Sequence, residues 1–584
     1  MKQIKRRSAT TPPQFSSEIP TLLQRIYAHR GLLADSDVDL ALKNLLPAAE
    51  LKGLDAALDL LVEALEQRHK ILVVGDFDAD GATSSALSVL ALRRLGAAAV
   101  DYLVPNRFEY GYGLTPEIVA VAQQQGPDLI MTVDNGISSI EGVQAARAAG
   151  IKVLVTDHHL PGHQLPPADA IVNPNQPGCP FPSKNLAGVG VAFYLMTALR
   201  TRLKQLNWFE RQGISEPNMA DYLDIVALGT VADVVPLDRN NRILVQHGLA
   251  RMRAGRCRPG IKALVEVAKR RLSGLVASDL GFAVGPRLNA AGRLTDMSKG
   301  IECLLQEDPR LAARYAAELD QLNHERKGIE GDMQQQALTA LKQLHLGKDA
   351  DLPWGLCIYK RDWHQGVIGI LASRIKERFH RPTIAFAPAD GGEIKGSARS
   401  IPGFHIRDAL DAVASRHPGL IVKFGGHAMA AGLSIREENL PAFQQAFDAE
   451  ARRVLVLEDL TGELHSDGEL SEPEIDLPVA RLLREAGPWG QGFPEPLFDG
   501  CFELLDQRIV GEKHLKLSIG LPSSKRVVDA IAFNVDLEKW PNHNLKQVYL
   551  AYRLDVNEFR GVQNAQLMVE HLEPVASGNA PRGR

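Results

Sequence analysis

Across residues 71–160 of this 584-residue chain, short apolar runs alternate with helical patterns, and most of the runs end in acids. ILVV (71–74) leads into GDFDADG and then an Ala/Ser/Leu-rich helix over about 82–95, and VDYLV (100–104) is the next strand. Thr115 caps a helix that carries Pro116 in its first turn and stops at Gly126. LIMTV (129–133) ends at Asp134, and KVLVT (152–156) ends at Asp157, His158 and His159. This βαβ series predicts an α/β fold with a doubly wound parallel sheet. The carboxyl ends of parallel strands share one edge, where such folds bind ligands. Asp76, Asp78, Asp134 and the 157–159 triplet are therefore expected to converge, although they lie far apart in the chain.

GDFDADG fits neither of the usual glycine-rich phosphate loops, and its three carboxylates would repel a bare phosphate. They become useful when cations sit between them and the phosphate. Oxygen ligands with an imidazole suit a hard ion such as Mg²⁺ or Mn²⁺. The five cysteines (Cys179, Cys257, Cys303, Cys357 and Cys501) are widely spaced, which argues against a thiolate site or a disulfide framework. Asp233 adds a further acid at the end of an apolar run within YLDIVALGTVADVVPLD (222–238). A single aspartate after a strand commonly just caps a helix. Several such acids plus His158 and His159 in one domain favour a metal site. Neighbouring side chains in an extended segment point apart, so one histidine is expected to ligate and the other to face substrate. His163, His247 and His417 read as ordinary hydrogen-bonded residues.

Residues 186–300 read as mostly helical. Leu311, Tyr315, Leu319, Leu322, Ile329 and Met333 recur at helical spacing and predict one long amphipathic helix ending near Gly347, a natural spacer. WGLCIY (354–359), GVIGILASRIKERF (366–379) and PTIAFAP (382–388) then read as strand, helix and strand. GSARS (396–400) and FGGHAMAAG (424–432) have the composition of an anion pocket, with Ser397, Arg399 and His427 as donors. GPRLNAAGR (285–293) reads as a similar loop carrying Arg287, Asn289 and Arg293. His364, in WHQGVIG (363–369), is a weaker signal with a structural reading. Residues 500–573 form short alternating runs that predict a small antiparallel barrel of the OB type.

At roughly 150 residues per domain, the length suggests about three or four domains. Average hydrophobic (45%) and charged (23%) fractions exclude a disordered or fibrous chain. No apolar run approaches the roughly 20 residues of a membrane span. The N-terminus MKQIKRRSATTPPQF is basic and then polar, unlike a secretion signal, so a cytoplasmic protein is expected. The 66 Lys+Arg nearly balance the 70 Asp+Glu, but unevenly. Residues 251–271 carry Arg251, Arg253, Arg256, Arg258, Lys262, Lys269, Arg270 and Arg271 against Glu266, whereas 463–476 is strongly acidic. The basic stripe has two open readings, a solvated face or a track for a phosphate backbone.

GDFDADG, VDNGIS (133–138), VTDHH (155–159) and GTVADVVPLD (229–238) resemble, in order, the four motifs of the DHH phosphoesterases. GSARS and GGHAMAAG resemble the DHH-associated domain, and the PRLNAAGR segment and terminal barrel extend the resemblance over nearly the whole chain. The resemblance implies two divalent ions, Mg²⁺ or Mn²⁺, held by Asp76, Asp78, Asp134, His158 and Asp233, with Asp134 between them. It implies that His159 contacts the scissile phosphate, that Asp80 and Asp157 orient ligands, and that Arg293, Ser397, Arg399 and His427 bind substrate. Arg287 and Asn289 are counted with them from the same segment. The implied activity is a single-stranded-DNA-specific 5′→3′ exonuclease releasing 5′-mononucleotides in repair and recombination. Implied partners are single-stranded DNA, single-stranded-DNA-binding protein and a helicase; with no apolar span and no coiled-coil seam free for a second chain, no membrane and a monomer are expected. A phosphodiesterase of short oligonucleotides or cyclic dinucleotides would need no barrel or basic track, and a non-catalytic DNA scaffold would lack metal ligands. The expected layout is an N-terminal extension (1–50), a catalytic domain (51–305) and a connecting helix (306–350). A DHH-associated substrate-binding domain (351–456), an OB-like domain (457–575) and a tail (576–584) follow.

Overall fold

The structure, a computed structural model, describes residues 2–106, 110, 113–345, 352–521, 523–537 and 539–575. The chain divides into two compact units: Arg6–Leu322 with the chain from His465 onward, and Asn323–Leu464 with the N-terminal residues up to Lys5.

The first unit is built on a five-stranded parallel sheet of β1 (Lys70–Gly75), β2 (Ala99–Leu103), β3 (Leu129–Val133), β4 (Lys152–Thr156) and β5 (Ala170–Val172), in the order β2-β1-β3-β4-β5. The apolar runs of β1 and β3 are buried along almost their whole length, as expected where helices cover both faces. The strand order reverses between β1 and β3, so the residues after these two strands flank the crevice where open α/β sheets bind ligands. Helix α1 (Ala79–Arg94) follows β1, α2 (Pro116–Gln123) is capped by Thr115 with proline in its first turn, and α3 (Ile140–Ala148) follows β3. Helices α4 (Gly188–Gln205), α5 (Leu223–Ala232) and α6 (Arg239–Arg253) complete this part of the core.

One expectation is corrected here. GPRLNAAGR is not a loop but helix α7 (Gly285–Leu294), entered through a π-helical turn at Leu280–Val284. Pro286 sits in its first turn, where a missing N–H costs nothing, and Ala290, Ala291 and Gly292 are buried.

Helix α8 (Pro309–His345) runs for 37 residues, about 55 Å at 1.5 Å per residue. Its expected end near Gly347 lies outside the described residues. Its apolar stripe starts one position later than the sequence pattern suggests. Ala312, Ala316, Leu319 and Leu322 are buried while Leu311 is 44% exposed. The stripe then turns polar at Asn323, Arg326 and Glu330, all buried, with Arg326 bonded to Asn323 and Glu330.

The second unit contains a five-stranded sheet of β6 (Leu356–Tyr359), β7 (Thr383–Pro388), β8 (Glu393–Arg399), β9 (Lys423–Gly426) and β10 (Ala430–Arg436), ordered β9-β10-β8-β7-β6. Only β6 and β7 pair in parallel. Helices α9 (Ile368–Phe379), α10 (Ile406–Arg416) and α11 (Leu440–Val454) cover it around a core that includes Phe386, Phe404, Phe443 and Phe447.

Strands β11 (Phe498–Val510), β12 (His514–Leu521), β13 (Arg526–Ala532), β14 (Gln547–Phe559) and β15 (Val562–Pro574) close a barrel in the order β11-β12-β13-β15-β14. Full closure removes exposed sheet edges. The barrel belongs to the first unit. One continuous core runs from Leu22 and Ile26 of the N-terminal segment, through the parallel-sheet domain, to Leu517 and Leu567 of the barrel. Among the described residues no helix is long and apolar enough to cross a membrane.

Candidate metal centre

The carboxyl edge of the parallel sheet gathers the acids. After β1, Asp78 becomes the N-cap of α1, its Oδ1 accepting from Asp80 N (2.9 Å) and Gly81 N (3.0 Å). That cap turns the chain so that Asp76, Asp78 and Asp80 lie within one tight bend. After β3, Asp134 takes a left-handed conformation (φ 60°), which aspartate tolerates better than most residues. Gly188, at the start of α4, closes over it: a Cβ there would lie 2.6 Å from Asp134 Cβ, so only glycine lets the helix approach. The same helix start donates Gly188 N (2.6 Å) and Val189 N (3.0 Å) to Asp80, a carboxylate at a helix N-terminus.

Asp157 organises the histidine pair. Its Oδ1 accepts from His158 N (2.7 Å), His159 N (3.1 Å) and His159 Nδ1 (2.7 Å), and its Oδ2 from Ile137 N (2.9 Å). These bonds curl the backbone, so the two rings do not diverge as an extended segment would place them. Their centroids are 4.4 Å apart. Two residues that sequence reading missed complete the clamp: Asn173 and Asn175, just after β5, donate to the carbonyls of His159 (2.9 Å) and His158 (2.6 Å). The only sequence signal for them is their position after a short strand, AIV, that is itself easily overlooked.

His158 Nε2 lies 3.1 Å from Asp134 Oδ1, 3.5 Å from Asp233 Oδ2 and 4.0 Å from Asp80 Oδ2. Three groups hold their ligand atoms within 4.8 Å of one another: Asp76, Asp78 and Asp134; Asp134, His158 and His159; and Asp80, His158 and Asp233. Asp134 and His158 each belong to two of these groups.

Electrostatically the cluster is out of balance. Burial and the neighbouring Asp78 push Asp80 up to about 7. Burial, with repulsion from Asp80 and Asp78, raises Asp134 and Asp233 well above the usual carboxylate range. Burial and the adjacent His159 push His158 down to about 4, leaving a neutral imidazole with a lone pair to share. Burial opposes charge on His159, but its hydrogen bond to Asp157 and the surrounding acids win and push it up to about 9. Burial likewise works against Asp157, and its bonds to His159 hold it below the usual range. Neither His158 Nε2 nor Asp233 Oδ2, both buried, has a hydrogen-bond partner among the described residues. Buried polar atoms are normally satisfied, and crowded carboxylates around a neutral imidazole suit hard divalent cations. The residues fit a metal site.

Val234, directly after Asp233, is a β-branched residue with φ 63° and 62% exposure. Strain of this kind costs about 1–3 kcal/mol and gathers at functional sites.

The structure separates the three candidates of α7. Arg287 is buried and its guanidinium is spent on Asp320 (2.7 Å) and the carbonyls of Ala283 (2.5 Å) and Val267 (3.3 Å), a structural tie rather than a hand held out to substrate. Asn289 Oδ1 accepts from Ala79 N (2.8 Å), anchoring the loop of Asp76 and Asp78. Arg293 is half-buried on the same helix.

In the second unit, Ser397 and Arg399 share one face of β8, with Arg399 Nη1 donating to Ser397 Oγ (3.1 Å) and to Ala398 O (2.8 Å). Burial lowers Arg399, and no acid pairs with it among the described residues. The neighbours across the ladder are small: Gly432 opposite Ser397, Ala430 opposite Arg399 and Gly425 opposite Gly432. A Cβ on Gly425 or Gly432 would meet nothing within 4 Å. His427 lies in the β9–β10 turn. Sheet register thus sets Ser397 and Arg399 opposite small residues, and the turn that carries His427 follows Gly426 at the end of β9. His364 accepts from Gly366 N (3.0 Å), as its structural reading expects.

The basic stripe is largely internal wiring. Arg251 pairs with Asp221, Arg270 with Asp279 and Arg271 with Glu558. Arg253 bonds Leu275 O, and Arg258 the carbonyls of Leu304 and Leu305. A continuous phosphate track along 251–271 is therefore not supported.

Fold and cluster define a phosphoesterase domain of the DHH class. A model of the DHH family, N-terminal domain, matches residues 70–230, a DHHA1 domain model matches 355–453 and a RecJ OB domain model matches 466–571. The single-stranded-DNA-specific exonuclease RecJ of Dickeya dadantii is 57% identical over 570 residues, covering 98% of this chain and 99% of that protein. Its counterpart in Escherichia coli (strain K12) is 56% identical over 573 residues, with the same coverage of each chain. A crystal structure of RecJ in complex with Mn²⁺ from Thermus thermophilus is similar with a TM-score of 0.79 and 32% identity, over 98% of this chain and 80% of that one. The chain belongs to the RecJ family of single-stranded-DNA-specific exonucleases.

Proposed function

We propose that the chain degrades single-stranded DNA from the 5′ end, releasing 5′-mononucleotides. In this reading Asp76, Asp78, Asp134, His158 and Asp233 hold two divalent ions, Mg²⁺ or Mn²⁺, with Asp134 between them. The observation that carries it is the meeting of five carboxylates and an imidazole whose buried Nε2 has no hydrogen-bond partner among the described residues, at the switch point of the sheet. Bound there, divalent ions lower the pKa of an attacking water and balance charge developing on the phosphoryl oxygens.

The chain's own groups supply the rest. Asp157 fixes the His159 ring and favours its protonated form, so His159 donates to a phosphate oxygen where negative charge builds. Asp80, held by the first amides of α4, and Asn289, bonded to the backbone at Ala79, keep the carboxylate loop in place. Arg399 with Ser397 and His427 receives a terminal phosphate on the open face of β8 and β10, and Arg293 contacts the strand. Family membership supports the 5′→3′ polarity. It also supports a role in repair and recombination beside single-stranded-DNA-binding protein and a helicase.

The test compares 5′- and 3′-labelled single strands, with blunt duplex and a dinucleotide as controls, in Mg²⁺, Mn²⁺ or EDTA, for wild type and Asp78→Ala. Immediate mononucleotide release from the 5′ label, abolished by EDTA or Asp78→Ala, is expected. Cleavage of the dinucleotide alone would assign a small-molecule phosphodiesterase, and DNA binding without cleavage a scaffold.

A further inference from the structure

Phe282 is 87% exposed, although it sits on an ordered π-helical turn. The two glycines that flank it lie against the end of α5. A Cβ on Gly281 would meet Val231 Cγ1 at 3.3 Å, and one on Gly285 would meet Ala232 Cβ at 3.0 Å. These are the residues immediately before Asp233, so Phe282 projects from a turn packed on the backbone that delivers a candidate metal ligand. Val234, strained and exposed, lies on the other side of Asp233. Both side chains line one cavity of about 710 Å³, together with Val231, Leu237, Pro488 and Trp489. That volume is within the range of roughly 300–1,000 Å³ typical of small-ligand sites.

The charges around this cavity decide what fits it. Arg553 is paired with Glu495 (2.7 Å) and Glu570 (2.5 Å), Arg484 with Asp555 (3.8 Å), and Arg253 is bonded to Leu275 O (2.8 Å). The rim therefore gives a phosphate little to bind, whereas the apolar wall suits an uncharged, flat group. A nucleotide with its phosphodiester at the cluster must put its base somewhere, and an exposed aromatic ring is a sequence-tolerant stacking surface.

We infer that Phe282 is a substrate-positioning residue: its ring stacks on the base of a nucleotide next to the scissile phosphate, in the apolar cavity that starts at Val234. The inference rests on the nuclease reading above and adds to it a contact that holds the reacting nucleotide in register. The π turn fits this arrangement, since such turns are frequent at functional sites, and the glycines keep it against α5.

The experiment is a double-mutant cycle between side chain and base. Wild type, Phe282→Ala and Phe282→Trp are assayed for kcat/KM on a single strand and on a series in which each of the first six nucleotides in turn is abasic. Phe282→Ala is expected to lose about tenfold on the intact strand. That penalty should vanish at one abasic position and persist at the others, and Phe282→Trp should stay near wild type. Equal penalties at every position would show a structural role and overturn the inference, as would no penalty on any strand. Wild-type protein inert on all strands would instead overturn the nuclease reading, so the two failures are distinguishable.

Discussion

Three acids of the metal cluster, Asp80, Asp134 and Asp233, are destabilising in the absence of a cation. Burial and mutual repulsion raise the pKa of all three. Asp134→Asn keeps the shape and removes one charge. We expect it to unfold at a higher temperature than wild type in EDTA, by a few degrees for a gain of about 1 kcal/mol. The rise in Tm that Mn²⁺ gives wild type should shrink in the variant. Thermal scans with and without Mn²⁺ check both, and a lower Tm in EDTA would contradict the account. At this scale the chemistry of the cluster was legible, because strand-end acids and histidines announce themselves by position. The roles of the arginines were not. Arg287 and Arg399 look alike in glycine-rich sequence, but one is spent on Asp320 and the other has no acidic partner among the described residues. A side chain's partners come from other parts of the chain.

At the scale of elements, helix α7 shows how a motif acquires its conformation. GPRLNAAGR reads as a loop because glycine, proline and asparagine weaken any local preference. Packing makes it a helix: Asn289 ties it to Ala79, and Gly292 lies where a Cβ would come within 1.8 Å of Phe77 O. Gly292→Ala forces the helix away from the carboxylate loop. Stability should fall by about 1–3 kcal/mol, the usual cost of overpacking, and Mn²⁺ affinity by about tenfold, as for other losses of ligand support. Urea unfolding and a Mn²⁺ titration measure these. Loss of stability with unchanged affinity would show that α7 does not hold the metal loop. The βαβ elements were legible because hydrophobic periodicity is local. The polar break in α8 at Asn323, Arg326 and Glu330 was masked by apolar neighbours on other faces.

For the whole molecule, the segments read as separate lengths of sequence combine. The N-terminal segment, the parallel-sheet domain and the barrel share one core, and the acidic stretch 463–476 helps to join them. Asp467 is fully buried and accepts from Arg30 Nη1 and Nη2 (both 2.9 Å), from Leu497 N (3.2 Å), and pairs with His29 Nδ1 at 3.1 Å. Burial alone would raise its pKa, but Arg30, Arg7 and His29 bring it below the ordinary value. An acid with a lowered folded pKa stabilises fully above its unfolded pKa, and that contribution disappears as pH falls through the folded value. Asp467→Asn should therefore cost about 3 kcal/mol at neutral pH, where it strands a buried arginine. The gap to wild type should narrow below about pH 4. Urea midpoints at pH 7 and at pH 3.5 test this, and a constant gap would refute it.

The sequence by itself determined what depends on near neighbours: the βαβ rhythm, the alternating strands of the barrel, and the acids and histidines at the strand ends. Periodicity and motif chemistry need only a few residues to be expressed. Tertiary structure alone decided which cations are spent and which are on offer. It also decided that the histidine rings pair, that GPRLNAAGR is helical, that barrel and parallel sheet share a core, and that Phe282 stands exposed on a turn packed against the end of α5. Each of these depends on what distant segments bring against a residue. Burial and pairing are properties of the assembled core, which no local stretch of chain contains.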